Sequence, residues 1–279
     1  MAIDSRKVRQ LFENLNRTVG GDFLWREVAA RLHDRLSVMT LDVDRLVDVG
    51  CGRGDDLPLL CARFPRASAV GVDAVFAPLH QSVCQHDGKA IDRLCGDAAL
   101  PLFQPASFNL VWSNMMLHWA EDIGGVLSEW YQMLQQDGLL LFSCLGYGSL
   151  QNLYHAFAGI DGYDHVMTYP DFQQLGNALV QTGFPAPVIE HEWIDLTYQD
   201  IGALLRDIRA LGGNPLGNRR QGLMGKGTFA RILQNLEHLR DADGRITLRF
   251  EIIFAHAFKE SLPKKEIPLD AERPVAFYR

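Results

Sequence analysis

Apolar positions recur at helical spacing near the start of the chain, at Val8, Leu11, Phe12 and Leu15 and again at Phe23, Leu24, Val28, Ala29 and Leu32. This predicts two helices within residues 5–36, divided at Gly20 and Gly21. Such a pair either pads a sheet or closes over a ligand. Short apolar runs then predict strands at 46–49, 67–73, 91–95, 107–113 and 139–145, with helical patterns at 57–64 and 126–134. Strands that alternate with helices belong to a parallel, doubly wound α/β sheet. The 139–145 run is apolar but for Ser143, as a central strand requires, and the Q-Q-D-G of 135–138 before it reads as a helix cap at Gly138. Beyond residue 146 the alternation stops. Helices are expected at 149–157 and 171–182, the second closed by Gly183, and strands at 188–198 and 246–258. Between those strands lies an insertion, 199–243, of two helices joined by G-G-N-P-L-G-N-R-R-Q-G-L-M-G, which is too long for a plain hairpin. Residues 1–260 thus read as one domain: N-terminal helices (1–36), a ligand-binding core (45–145), and helical cap segments (146–185 and 199–243). The charged, proline-punctuated 261–279 reads as a loosely attached tail.

The first strand ends in a glycine turn, V-D-V-G-C-G-R-G-D-D, with Gly50, Gly52 and Gly54 at alternate positions. Glycine lets the backbone turn tightly and leaves room for a ligand against it. The dinucleotide pattern G-x-G-x-x-G seats pyrophosphate at a helix N-terminus. Here Asp55 and Asp56 stand at that helix start. They suit the helix dipole but repel phosphate, so the ligand expected at this point carries none. Asp73 ends the second strand, where a doubly wound fold places the acid for ribose hydroxyls; the plainer alternative is a solvated strand-end carboxylate. Asp97 and Ala98 follow the third strand, and Asn114 to Trp119 follow the fourth. Carboxyl ends of strands are where open α/β sheets bind ligands. His118 is either a base or, beside Trp119, a packing or cofactor contact.

The net charge of −7 argues against a nucleic-acid partner bound through broad electrostatics. No apolar run approaches the roughly 20 residues that span a bilayer, and the N-terminus lacks the apolar core of a secretory signal. Five cysteines, Cys51, Cys61, Cys84, Cys95 and Cys144, show no C-x-x-C spacing. They read as free thiols in a reducing cytoplasm, with neither a disulfide framework nor a metal site.

The pattern D-x-G-x-G-x-G resembles motif I of the class I S-adenosylmethionine-dependent methyltransferases. The span from Val8 to Phe258 resembles one branch of them, the malonyl-acyl-carrier-protein O-methyltransferases of biotin synthesis (the BioC family). The resemblance rests on V-D-V-G-C-G-R-G, C-G-D-A-x-x-L-P-L, W-S-N-M-M-L-H-W, G-L-L-L-F-S, G-S-L-Q-N-L and the insertion L-T-Y-Q-D-I-G-A-L-L-R-D-I-R-A-L-G-G-N. It implies a Rossmann-like, seven-stranded mixed sheet whose last strand is antiparallel. It also implies S-adenosyl-L-methionine as cofactor, held by Asp48, Gly50, Cys51, Gly52, Gly54, Asp73, Ala74, Asp97, Ala98, Asn114, Leu117 and His118. The L-H-W and F-L-W-R-E-V-A-A-R-L stretches are similar to a sister branch, the complex I assembly proteins linked to arginine hydroxylation. A methyltransferase for another small molecule is the other alternative.

Methyl transfer from a sulfonium is an in-line displacement, and a carboxylate acceptor is already a nucleophile at neutral pH. Alignment and exclusion of water are then the enzyme's work. No Ser/His/Asp, Cys/His or metal constellation is evident. Shielding a malonyl carboxylate requires a cationic partner. Arg206, Arg209, Arg219 and Arg220 crowd the insertion of an otherwise acidic chain. One of them is expected to hold the substrate carboxylate and others to meet the acidic carrier protein; solvated helix-face charges are the alternative.

Overall fold

The computed structural model describes residues 3–15, 22–82, 85–220 and 222–260. The expected break at Gly20 and Gly21, the thiol of Cys84 and the 261–279 tail lie outside these residues. Two helices, α1 (Ser5–Leu15) and α2 (Phe23–Ser37), precede the first strand, β1 (Arg45–Val49). Then follow α3 (Leu57–Arg63), β2 (Ser68–Asp73), α4 (Phe76–His80), a small hairpin β3 (Gln85–His86) and β4 (Lys89–Ala90), β5 (Asp92–Cys95) and β6 (Phe108–Ser113). Next come α5 (Ile123–Met133), β7 (Leu134–Leu145), α6 (Gln151–Phe157), α7 (Phe172–Thr182) and β8 (Val188–Tyr198). Helices α8 (Ile201–Ala210) and α9 (Lys226–Glu237) form the insertion before β9 (Ile246–Phe258).

Seven strands form one mixed sheet in the order β5-β2-β1-β6-β7-β9-β8. Strands β5, β2, β1, β6 and β7 run parallel, and β9 lies antiparallel to both of its neighbours. Right-handed crossovers require helices on both faces of such a sheet, and β7 displays the result residue by residue. Leu139, Leu141 and Leu145 enter an apolar cluster with α2, α3, α6, α8 and α9. Leu140, Phe142 and Cys144 point the other way, into a cluster with α5 and α7. The α2 helix is further tied to the edge strand, since Arg31 and Arg35 pair with Glu190 and Glu192 of β8.

Caps follow the sequence. Asp171 and Asp200 each accept two backbone N–H groups at the starts of α7 and α8, and Gly183 closes α7 at a φ of 120°. Gly138 does not cap α5. That helix stops at Met133, and Leu134 is already extended and paired with Phe108. The register slips between Phe108 and Leu110, so residues 135–138 bulge from β7. Asp137, not Gly138, takes the positive φ, 60°. Gly138 is needed for close approach instead: a Cβ there would sit 2.9 Å from the Gln135 carbonyl.

Candidate active site

The carboxyl ends of β1, β2, β5 and β6 open into a cavity of about 940 Å³. The glycine turn forms its floor. Gly50, Gly52 and Gly54 adopt φ of 80°, 53° and 73°, and Gly50 N–H and Cys51 N–H both donate to the Val72 carbonyl of β2, at 2.8 and 3.0 Å. From the end of β2, Asp73 grips this turn. Its Oδ2 accepts from Gly52 N–H and its Oδ1 from Val75 N–H, each at 2.8 Å. Burial pushes the Asp73 carboxyl up, and the two backbone donors hold it back.

Across the cavity, β6 ends in a strained turn. Met115 is a buried non-glycine residue at φ 56°. Such backbone persists only where neighbours determine it. Ser143 of β7 is that neighbour: its Oγ donates to Asn114 Oδ1 at 2.7 Å and accepts from Met115 N–H at 3.0 Å. Asn114 Nδ2 in turn donates to the Trp25 carbonyl of α2 at 3.0 Å. The N-terminal helices therefore cover the site as well as pad the sheet. Val8, Arg9 and Phe12 of α1 and Trp25 and Arg26 of α2 line the cavity. Arg9 reaches Asp97 at 2.6 Å, and Phe12 meets Trp119 edge-on at 5.2 Å.

Among the described residues the lining is acidic: eight carboxylates, Asp22, Asp48, Asp55, Asp56, Asp73, Asp97, Glu121 and Asp122, face three guanidiniums, Arg9, Arg26 and Arg53. All three guanidiniums are already paired with lining acids. Asp48 is 2 % exposed and makes no hydrogen bond through its side chain among the described residues. Burial, then the charges of Asp56, Asp73 and Asp55, push its carboxyl well above the usual range. Asp56 accepts from Trp112 Nε1 at 3.0 Å, yet burial raises it to about 6. A ligand that brings positive charge into this cavity relieves the repulsion.

Of the residues expected at the cofactor, Asp48, Gly50, Cys51, Gly52, Asp73, Ala74, Asp97, Ala98 and Asn114 line the cavity. Gly54, Leu117 and His118 do not. Gly54 is buried within the turn, where its N–H donates to the Cys51 carbonyl at 2.7 Å. The single 3-10 turn Leu117–Trp119 rotates Leu117 into the α5 cluster and His118 inward, while Trp119 and the preceding Met115 and Met116 face the cavity. His118 Nδ1 accepts from Leu145 N–H at 3.3 Å. Burial lowers its pKa to about 3, which keeps the ring neutral. None of the four expected substrate arginines lines the cavity either. Arg206 faces solvent and lies 3.6 Å from Asp200, Arg209 is exposed, and Arg220 lies 3.7 Å from Asp161. The Nε of Arg219 is buried without a hydrogen-bond partner among the described residues. The insertion contacts the cavity through Ala210 instead, because Gly212 and Leu216 turn the chain against Trp119. The lining arginines Arg9, Arg26 and Arg53 went unread in the sequence; the signal available was their place beside the glycine turn and in the covering helices.

This sheet order and this cavity define a class I methyltransferase. The methyltransferase domain family matches residues 47–142. A fold relative, the YcgJ protein from Bacillus subtilis, superposes with a TM-score of 0.58 at 15% identity, over 85% of this chain and 99% of its own. The chain is 35% identical to the malonyl-[acyl-carrier protein] O-methyltransferase of Gallionella capsiferriformans over 92% of its own length and 91% of that protein's. It is 34% identical to the enzyme of the same name from Laribacter hongkongensis, over 95% and 93% of the two chains. The protein belongs to the malonyl-[acyl-carrier protein] O-methyltransferase family.

S-adenosylmethionine is the cofactor of this class, and the residues present fit it. The left-handed glycine floor leaves space, Asp73 stands at the end of β2, and the unmatched Asp48 faces a cavity with excess negative charge. A bound cofactor would bring an ammonium and a sulfonium, the positive charge that this lining lacks. Asp48→Asn should therefore act with opposite signs on binding and stability. It should weaken cofactor binding about tenfold, or about 1.4 kcal/mol. It should also raise the melting temperature of cofactor-free protein by about 2–4 °C at pH 7.5, for about 1 kcal/mol of relieved repulsion. The pH dependence has a definite sign. A carboxyl raised on folding contributes stability below its unfolded pKa, and that contribution fades as pH rises through the folded value, about 6 for Asp56. Cofactor affinity runs the other way and falls as pH drops through about 6, because protonated carboxyls no longer attract the cation. Titration calorimetry and thermal unfolding across that range check both.

Proposed function

We propose that the protein transfers the methyl group of S-adenosylmethionine to the free carboxylate of a malonyl group carried as a thioester on acyl carrier protein, a step toward a biotin precursor. The observation that carries this reading is the lining itself: among the described residues it contains no histidine, lysine or tyrosine, and its raised carboxylates, Asp48, Asp56 and Asp73, are the ones assigned to the cofactor. Amine and phenol acceptors call for a base; a carboxylate acceptor does not. The family membership supports the same acceptor, since the curated relatives carry that name. When bound, the cofactor supplies an electrophilic methyl group on a sulfonium. The chain's own residues do the rest. Asp48 and its neighbours hold positive charge, Asp73 takes the ribose hydroxyls, and Asp97 and Ala98 border the adenine. Phe12, Trp25, Met116 and Trp119 exclude water from the reacting centre. Among the described residues Arg9, Arg26 and Arg53 are the lining cations, and a substrate carboxylate inside the cavity competes for them with Asp97, Asp22 and Asp55. Arg206, Arg209, Arg219 and Arg220 lie outside it, where they suit contact with the carrier rather than with the malonyl group.

No helix among the described residues is long and apolar enough to cross a membrane, and Cys51, Cys61, Cys95 and Cys144 are free. Both support action in the cytoplasm. At saturating cofactor, kcat should be flat from about pH 6.5 to pH 9, because a carboxylate is fully ionised throughout. His118 and His165 are the histidines a base-dependent acceptor would call on. His118 is held neutral in the core, and His165 bonds to Asp161 at 2.8 Å outside the lining. A rate limb near neutral pH that vanishes in His118→Gln or His165→Gln would overturn the carboxylate reading.

A further inference from the structure

The two edges of the sheet are built differently. An edge strand offers unpaired backbone N–H and C=O groups to any second strand, and folded proteins blunt such edges with short strands, bulges, proline or unmatched charge. At one edge, β5 is four residues long. At the other, β8 is eleven, and it pairs with β9 from Val188 to Tyr198 without a bulge. It contains no proline. Among the described residues its backbone bonds to β9 alone. Its charged side chains are matched within the chain. Glu190 and Glu192 pair with Arg35 and Arg31 of α2. Asp195 accepts from Arg249 at 2.8 and 2.7 Å, and His191 Nδ1 lies 2.7 Å from Glu251 Oε1. Little is left to repel a second strand. Val188 and Trp193 are 49 % and 46 % exposed along this edge.

We infer that the free edge of β8 takes the β8 of a second copy of this chain, antiparallel and centred on Trp193, so that two seven-stranded sheets join across a two-fold axis. The strand's own sequence selects that occupant. A two-fold axis normal to the sheet sets each side chain opposite one on the same face, so it passes through a residue and not between two. Centred on Trp193, all eleven residues find partners. His191 then lies opposite Asp195, Glu190 opposite Leu196, Glu192 opposite Ile194 and Val188 opposite Tyr198. Like charges directly opposite destabilise a strand pair, whereas opposite charges and aromatic pairs stabilise it. Centred on His191, Glu190 would meet Glu192; centred on Glu192 or Asp195, two carboxylates would meet on the axis itself. Centring on Ile194 leaves Val188 and Ile189 without partners. The full-length register is thus also one free of like-charge contacts. Among the described residues no part of β8 lines the cavity, so each copy keeps its own site, and the inference stands whatever the methyl acceptor is.

Sedimentation equilibrium of the full chain over roughly 1 to 100 µM should show a monomer–dimer equilibrium. Trp193→Glu sets two carboxylates face to face on the axis. It should raise the dimer dissociation constant by about tenfold or more, with circular dichroism and cofactor affinity at wild-type values. A second measurement reads the register. In a chain with Cys61, Cys84 and Cys95 replaced by serine, Trp193→Cys should cross-link the two copies through a short bismaleimide, since directly opposed Cβ atoms lie about 4.5–5.5 Å apart. Thr197→Cys should not, because it stands roughly 27 Å from its mate in this register. A full chain that stays monomeric throughout, a dimer that Trp193→Glu leaves intact, or cross-linking at Thr197→Cys as fast as at Trp193→Cys would each overturn the inference. So would a chain that dimerises only when residues 261–279 are removed, since the edge would then belong to the chain's own tail.

Discussion

Gly50→Ala should abolish measurable cofactor binding while leaving a folded, less stable protein. Gly50 stands at φ 80°, and a Cβ there would lie 2.3 Å from Met116 Cγ. Alanine in a left-handed conformation costs about 1–2 kcal/mol, and forcing an extra carbon into a packed contact costs about 1–3 kcal/mol more. Two responses are open: the turn straightens, or Met116 moves. Met116 belongs to the strained turn that Ser143 pins, so its displacement carries Met115 and Asn114 with it. Either response deforms the cavity floor. A loss in affinity of about 100-fold or more is expected from about 3 kcal/mol of misfit. Gly52→Ala is the contrast: it shares the positive φ, 53°, but meets nothing within 4 Å, so it should show the conformational part of the cost alone. Calorimetric titration with S-adenosylhomocysteine, beside thermal unfolding, reads both variants. Equal affinities for Gly50→Ala and wild type would remove the floor from the account.

Asp73→Ala should be as damaging by another route. Its carboxylate holds the N–H groups of Gly52 and Val75. Removing it leaves two partly buried donors without partners, each at about 1–3 kcal/mol, and takes away the acid at the end of β2. Cofactor affinity should fall by about 100-fold or more. Asp73→Asn keeps one acceptor oxygen but turns a donor toward one of those N–H groups, so it should recover stability only in part. Unchanged affinity in Asp73→Ala, measured on protein with a wild-type circular dichroism spectrum, would mean that Asp73 serves the turn alone.

The sheet was readable because its strands are apolar runs bounded by helices of 3.6 periodicity, and because glycine and carboxylate positions mark strand ends. The edges of that reading failed for local reasons. The D-G at 87–88 is a hairpin signal, with both residues at positive φ, 48° and 78°, but its strands β3 and β4 are two residues each and carry no alternation. Asp137-Gly138 looked like a cap because its chemistry suits either a helix end or a bulge; the pairing of Leu134 with Phe108 decides between them. At the site, Asp73 and Asn114 were legible because sheet topology sends strand ends to one rim, whereas Asp48 and the role of Asp97 came from the resemblance to the methyltransferase motifs. His118 was not, because one 3-10 turn separates the residues that face the cavity from those that face the core. The arginines of the insertion were visible as charge but not as position. Their distance from the cavity depends on how Gly212 and Leu216 dock against Trp119, a contact far apart in sequence.

The most direct measurement of the central claim is a mass analysis of the carrier protein after incubation of the wild type with S-adenosylmethionine carrying a labelled methyl group and malonyl-carrier protein. The account predicts a labelled methyl ester on the malonyl group, removed by mild base, with none formed on acetyl-carrier protein, which lacks the free carboxylate. Label on a nitrogen or on the carrier polypeptide itself, or no transfer by protein that binds both cofactor and carrier, would contradict it.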